Sequence, residues 1–190
     1  MFYSQFYLGL ELENQSLQGR KIFNLKKRYS SSQDFHFSLM APVTINDRNT
    51  GELTDLLKEQ GHYFFSEARQ IFARATSIDL RQKSQKNLIG LEMCWSDELS
   101  YCLESLLQIC LDFQEPQKKI EKSRPFLVLG AFAREVDLNA PMSEVRSQVQ
   151  VPAMIPVKSL NLYQKKRHSW FALQKLIEFQ NYQVQMESIL

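Results

Sequence analysis

A chain of 190 residues, 44% hydrophobic and 23% charged, has enough apolar material for a packed interior, and this balance excludes wholesale disorder. The net charge of +2 gives no ground for nucleic-acid affinity from the total alone. No run approaches the 18 consecutive apolar residues of a membrane-spanning helix.

Phe6 to Leu12 is rich in β-forming residues and reads as an opening strand. Leu17 to Arg28 sets Leu17, Ile22, Phe23 and Leu25 among basic residues, which fits a short helix or a helix followed by a loop. Phe35 to Met40 is a strand, stopped by Ala41-Pro42 and the polar turn Asn46-Asp47-Arg48-Asn49. Leu53, Leu56 and Leu57 begin a helical pattern with Gly61 at its expected end. Tyr63 to Gln82 is ambiguous: Ile71 to Leu80 alternates towards its end like a strand, while its start also fits a helix. Leu88 to Trp95 is a strand, after which Ser96 or Asp97 caps a helix. The apolar face of that helix runs through Leu99, Cys102, Leu103, Leu106, Leu107, Cys110 and Leu111. Pro116 to Lys122 is a basic loop, and Phe126 to Ala133 an apolar strand. Val149 to Val151 and Ser159 to Tyr163 read as further strand pieces. Ala172 to Phe179 closes the chain as a strand, although Gln174-Lys175 and Glu178 keep a helix open. The order β-α-β-α-β-β-α-β-β-β predicts an α+β fold with antiparallel sheets.

Cys94, Cys102 and Cys110 are odd in number and lack metal-ligand spacing. Cys102 and Cys110 share the apolar helix face, as expected of buried thiols in a reducing compartment. Met1 to Leu12 shows no basic region before an apolar stretch and no small-residue cleavage site, so a cytoplasmic location is expected. Short basic clusters occur at Arg20-Lys21, Lys26-Lys27-Arg28, Lys118-Lys119 with Lys122 and Arg124, and Lys165-Lys166-Arg167. Singly they read as solvated faces; gathered at one rim they would attract phosphate.

His36 and Ser38 are one residue apart on a predicted strand. Period-two alternation puts them on the same face, roughly 7 Å apart along the strand, with Phe35, Phe37 and Leu39 turned to the core. Phe35-His36-Phe37-Ser38-Leu39, followed by Pro42, resembles the first signature of the 2H phosphoesterases, the superfamily of 2′-5′ RNA ligases and cyclic-nucleotide phosphodiesterases. That signature is His, apolar, Ser or Thr, apolar, and the family repeats it about one lobe later, often inside Arg-Pro-His-x-Thr-Leu. This chain has Arg124-Pro125-Phe126-Leu127-Val128-Leu129 at the corresponding place. The flanks match, and the two functional positions, Phe126 and Val128, do not. Val157 to Gln164, with Leu160-Asn161-Leu162-Tyr163, resembles the family's last strands.

The resemblance implies one domain over residues 1–190, made of two pseudo-symmetric lobes whose antiparallel sheets form a central cleft with helices outside. It implies a divergent phosphoesterase acting on RNA ends or on small cyclic or 2′-5′-linked nucleotides, with His36 as one acid/base and Ser38 as one phosphate ligand. The matching positions Phe126 and Val128 can be neither. The alternative is therefore a catalytically degenerate module that holds a nucleotide, RNA end or protein without turnover; a vestigial site within a larger assembly is a third reading. Tyr163, Arg124, Arg167 and His168 are candidate substrate-binding residues, and His168 is a candidate replacement for the missing histidine. Against these stand a packed strand tyrosine, solvated arginines and a surface-loop histidine. His62, next to Gly61 at an expected helix end, has a structural reading. Glu11 and Glu13 read as strand-edge carboxylates. No Gly-rich phosphate loop, His-Glu-x-x-His, Cys-x-x-Cys or Gly-x-Ser-x-Gly is present, so no cofactor and no metal is expected.

Overall fold

The computed structural model describes residues 2–30, 35–65, 71–83, 85–115, 125–166 and 169–179. Within them the chain forms β1 (Tyr3–Leu12), α1 (Leu17–Tyr29), β2 (His36–Ser38), β3 (Val43–Asn46), a 3-10 turn (Asp47–Asn49) and α2 (Thr50–Phe65). Then follow β4 (Phe72–Lys83), β5 (Lys86–Cys94), α3 (Asp97–Asp112), β6 (Phe126–Ala133), α4 (Asn139–Gln148), β7 (Ala153–Lys166) and β8 (Ser169–Glu178). The expected α+β class with antiparallel pairing is the observed one.

The strands run in the order β2-β1-β7-β4-β5-β6, with β3 also on β1 and β8 also on β7. β7 carries this arrangement. Its first residues, Ala153 to Pro156, pair with β4, and the stretch from Val157 onward pairs with β1 and β8. From Ser159 to Tyr163 both of its faces are covered, and Ile155, Val157, Ser159, Leu160, Asn161, Leu162 and Tyr163 are all buried. On β1, Phe6, Leu8, Leu10 and Leu12 enter the core, while Tyr7 and Gly9 between them are buried on the other face. Ile22 and Leu25 hold α1 against the same core, where the helix packs on β6 and β7; α2 lies against α3 and β8.

Several elements differ from expectation. The segment after Pro42 returns as β3, because Val43 and Ile45 bury beside β1. α2 runs past Gly61 to Phe65, with Gly61 facing Ile177 of β8. Phe72 to Lys83 is strand throughout, and the closing segment is the strand β8. Val149 to Val151 is not strand: Val149 caps α4, an unforeseen helix. α4 has a single buried residue, Val145, and Pro141 in its first turn, where proline is tolerated. What holds it is tertiary: Glu144 accepts hydrogen bonds from Arg28 (2.5 Å) and from Tyr29 of α1. Among the thiols, Cys110 is fully buried and its pKa is pushed up to about 12 by burial, whereas Cys94 and Cys102 are only half-buried. Among the described residues, no helix is long and apolar enough to cross a membrane.

Of the two capping candidates, Ser96 is the one used: its hydroxyl accepts from the Leu99 N–H at 3.3 Å. Ser96→Ala should lower stability by about 1 kcal/mol in urea unfolding. Asp97→Ala, which removes only a charge near the helix N-terminus, should cost about half that or less; equal losses would contradict the assignment.

Candidate functional site

β1 lies between β2 and β7, and the register sets three cross-strand rows on one face. Ser38 opposes Gly9, which opposes Asn161; His36 opposes Glu11, which opposes Ser159; and Tyr7 opposes Tyr163. Directly opposed residues of antiparallel strands project to the same side. On the reverse side Leu8, Leu10, Phe37, Leu160 and Leu162 are buried in the core. His36 is half-buried and Ser38 is exposed.

Gly9 sits at the middle of this face. A Cβ there would lie 2.9 Å from Tyr163 Cε2 and 3.1 Å from Tyr7 Cε2, so its missing side chain lets both rings lie over it. The His36 ring stacks on Tyr163, with centroids 4.3 Å apart and 22° between planes, and Tyr163 stacks on Tyr7 at 4.9 Å and 13°. Trp170 of β8 meets Tyr7 edge-on at 4.6 Å. The Tyr7 hydroxyl is 2.6 Å from His36 Nε2. The imidazole, rooted opposite Glu11, therefore leans across the Gly9 row to the Tyr7 row.

Beside the rings lies a polar network. Glu11 accepts from Lys158 Nζ (2.8 Å), Ser159 Oγ (2.8 Å) and Asn161 Nδ2 (3.4 Å). Asn161 Nδ2 also reaches Ser159 Oγ at 2.9 Å and the Tyr163 hydroxyl at 3.4 Å. Burial works against ionisation of Glu11, but these hydrogen bonds and the Lys158 charge outweigh it, and its pKa lies below the ordinary carboxylate value. The hydrogen bond to Glu11 raises the Lys158 pKa, against a smaller opposing effect of burial.

Phe126 and Val128 occupy a differently built face. Opposite them on β5 are Glu92 and Gly90. The Phe126 ring lies on Gly90, where a Cβ would come within 2.7 Å of its Cε1 and Cζ. On this ring the Arg81 guanidinium stacks at 4.1 Å, held by Glu92 Oε1, which accepts from Nη2 at 2.5 Å and Nε at 3.2 Å. Lys26 of α1, buried, donates to the Val128 carbonyl at 3.1 Å. β2 and β6 lie beside each other, and Phe37 of one and Leu127 and Leu129 of the other enter the same core.

Tyr163 is buried, with its ring on His36. His62 is exposed in the last turn of α2. Arg124, Arg167 and His168 lie outside the described residues. No cluster of three or more potential metal ligands occurs among the described residues. Tyr7, Gly9, Glu11 and Asn161 were not singled out from the sequence as site residues. Alternation in Tyr7-Leu8-Gly9-Leu10-Glu11 signals a shared face, but their neighbours on β2 and β7 are a matter of register.

Because the Glu11 pKa is depressed in the fold, its stabilisation is present above the unfolded-state value and is lost as pH falls through the folded-state value, from about pH 4.5 downward. Glu11→Gln should therefore be less stable than the parent at pH 6, with the gap narrowing at pH 3.5. Urea midpoints across that range check this, and a constant gap would refute it.

No protein-family model matches the sequence, and no curated protein sequence does. Solved structures match the fold. Usb1 of Kluyveromyces marxianus, solved with uridine monophosphate, matches with a TM-score of 0.55 and 12% identity, over 89% of this chain and 97% of that one. E. coli LigT complexed with 3′-AMP matches at 0.56 and 14% identity, over 95% and 100%. LigT with NADP+ gives 0.53 and 13%, over the same shares. Usb1 and LigT are both members of the 2H phosphoesterase superfamily, so the fold of this chain is the one that Phe35 to Leu39 and Arg124 to Leu129 pointed to.

Proposed function

We propose that this chain binds an RNA end or a nucleotide through a phosphate held at His36 and Ser38, and does so without efficient turnover. The observation that carries this reading is the packing of Phe126 between Gly90 and Arg81. Phosphodiester cleavage by two acid/base groups needs one to take a proton and the other to give one to the leaving oxygen. A phenyl ring and an isopropyl group do neither, and the loss of one proton-transfer group costs about 10²–10⁴-fold. Binding asks for less. The exposed Ser38 hydroxyl donates to a phosphoryl oxygen, the imidazole of His36 supplies a second contact, and Tyr163 supports the ring from behind. The nucleotides in the Usb1 and LigT structures support this ligand class.

The test is calorimetric titration with uridine monophosphate, 3′-AMP and a short oligoadenylate, with product analysis by chromatography. Binding that weakens at least about tenfold in His36→Ala and in Ser38→Ala, with no product formed, is the expected result; each change removes a charge-assisted phosphate contact. Turnover of a 2′,3′-cyclic nucleotide that His36→Ala abolishes would overturn the binding-only reading and make His168→Ala the next variant.

Restoring the second motif should restore chemistry. The double substitution Phe126→His, Val128→Thr should raise hydrolysis of a 2′,3′-cyclic nucleotide by about 10²-fold or more. If ligand binding stays intact and the rate does not move, the absent motif is not what silences the site.

A further inference from the structure

We propose that Tyr7 is a positioning residue for His36: its hydroxyl donates to Nε2, holds the imidazole neutral with its proton on Nδ1, and so couples phosphate binding to uptake of one proton from solvent. The ligand half of this inference rests on the function proposed above; the hold of Tyr7 on His36 does not.

The Tyr7 oxygen lies 2.6 Å from Nε2. A phenol O–H is the stronger donor of the two groups and an unprotonated imidazole nitrogen the stronger acceptor, so in the inferred tautomer Tyr7 donates and Nε2 accepts. The ring geometry leaves little freedom to change this. Tyr163 stacks on both rings, Trp170 closes on Tyr7 edge-on, and Tyr7 is 5% exposed. Protonating Nε2 would reverse the hydrogen bond and turn round a buried hydroxyl, which favours the neutral ring.

Among the described residues, charged groups on the neighbouring strands are engaged with partners of their own. Glu11 on β1, opposite His36, is paired with Lys158 on β7, and its hydrogen bonds run to Lys158, Ser159 and Asn161. Lys165 on β7 donates to Gln5 and lies 6.0 Å from the Trp170 ring centroid. On β8, Glu178 pairs with Lys175. On β6 the neighbouring positions, Phe126 and Val128, are apolar, and the ammonium of Lys26 is held by the Val128 carbonyl.

An anionic phosphate reverses the preference. A neutral Nε2 offers it a lone pair, whereas an imidazolium offers a charge-assisted N–H. Ligand binding therefore has to displace the Tyr7 hydroxyl from Nε2 and place a proton there, and affinity falls as pH rises through the imidazole titration.

The test uses nitrogen-15 NMR of the ligand-free chain, with His36→Gln identifying the resonance. The expected result is a protonated Nδ1 and an unprotonated Nε2. In Tyr7→Phe, the His36 titration should move upward by roughly half a pH unit to one unit, the equivalent of one net hydrogen bond. Tyr7→Phe keeps the ring and its stacking, so a merely structural role for Tyr7 predicts no movement. The dinucleotide UpU, whose phosphodiester does not titrate between about pH 5.5 and 8.5, should bind the parent more weakly as pH rises, and Tyr7→Phe should extend tight binding to higher pH. A proton found on Nε2, or a titration unchanged in Tyr7→Phe, overturns the inference. If UpU and uridine monophosphate bind neither protein, the proposed function and the ligand coupling fall together, while the ligand-free titration still decides the hold of Tyr7 on His36.

Discussion

β7 is hydrogen-bonded along both edges, to β4 then β8 on one side and to β1 on the other, and this shared strand sets the position of everything else. Both of its faces are also buried between Ser159 and Tyr163, so each has to be satisfied. One does so with Leu160 and Leu162 in the core. The other buries Ser159, Asn161 and Tyr163, polar groups that are costly to enclose without partners. Those partners come from β1, where Glu11 accepts from Ser159 and Asn161, and from β7 itself, where the Asn161 amide donates to the Tyr163 hydroxyl. The polar network is thus a requirement of the fold before it is part of a site.

His36 takes its orientation from this arrangement. β2 is only three residues long and cannot by itself fix a side chain firmly. The fixing is done across strands, by the Tyr163 ring stacked on the imidazole and by the Tyr7 hydroxyl at Nε2, both tyrosine rings lying over Gly9. The stacking sets the ring plane before a ligand arrives, which lowers the ordering cost of binding, whereas a ligand at Nε2 competes with the Tyr7 hydroxyl.

The Phe126 side of the molecule has been satisfied differently. Phe126 lies on a glycine as Tyr7 and Tyr163 do, yet its outer face is covered by Arg81, and Arg81 is itself anchored by Glu92. The polar atoms there pair with each other rather than with the strand position next to Leu127. The two strands β2 and β6 thus present unlike faces, one with an imidazole and a hydroxyl, the other with a packed cation–aromatic stack, and that contrast underlies the proposal of binding without efficient turnover.

Local sequence fixed a good deal of this. Period-two alternation was enough to put His36 and Ser38 on one face with Phe37 behind them, β-forming apolar runs marked β1, β5 and β6, and apolar spacings of three and four with Ser96 as cap marked α3. The residues at 126 and 128 showed directly that the second half lacks an imidazole and a hydroxyl. Tertiary structure decided the rest. Glu11 meets Ser159 across 148 positions of sequence, and Tyr7 meets His36 across 29; α4 is held by Glu144 against α1, 115 positions from Tyr29. Periodicity states which side of its own strand a residue faces. Which residue stands opposite depends on register, set by the burial of whole strands against one another, and that register makes Tyr7, Gly9, Glu11 and Asn161 the surroundings of His36.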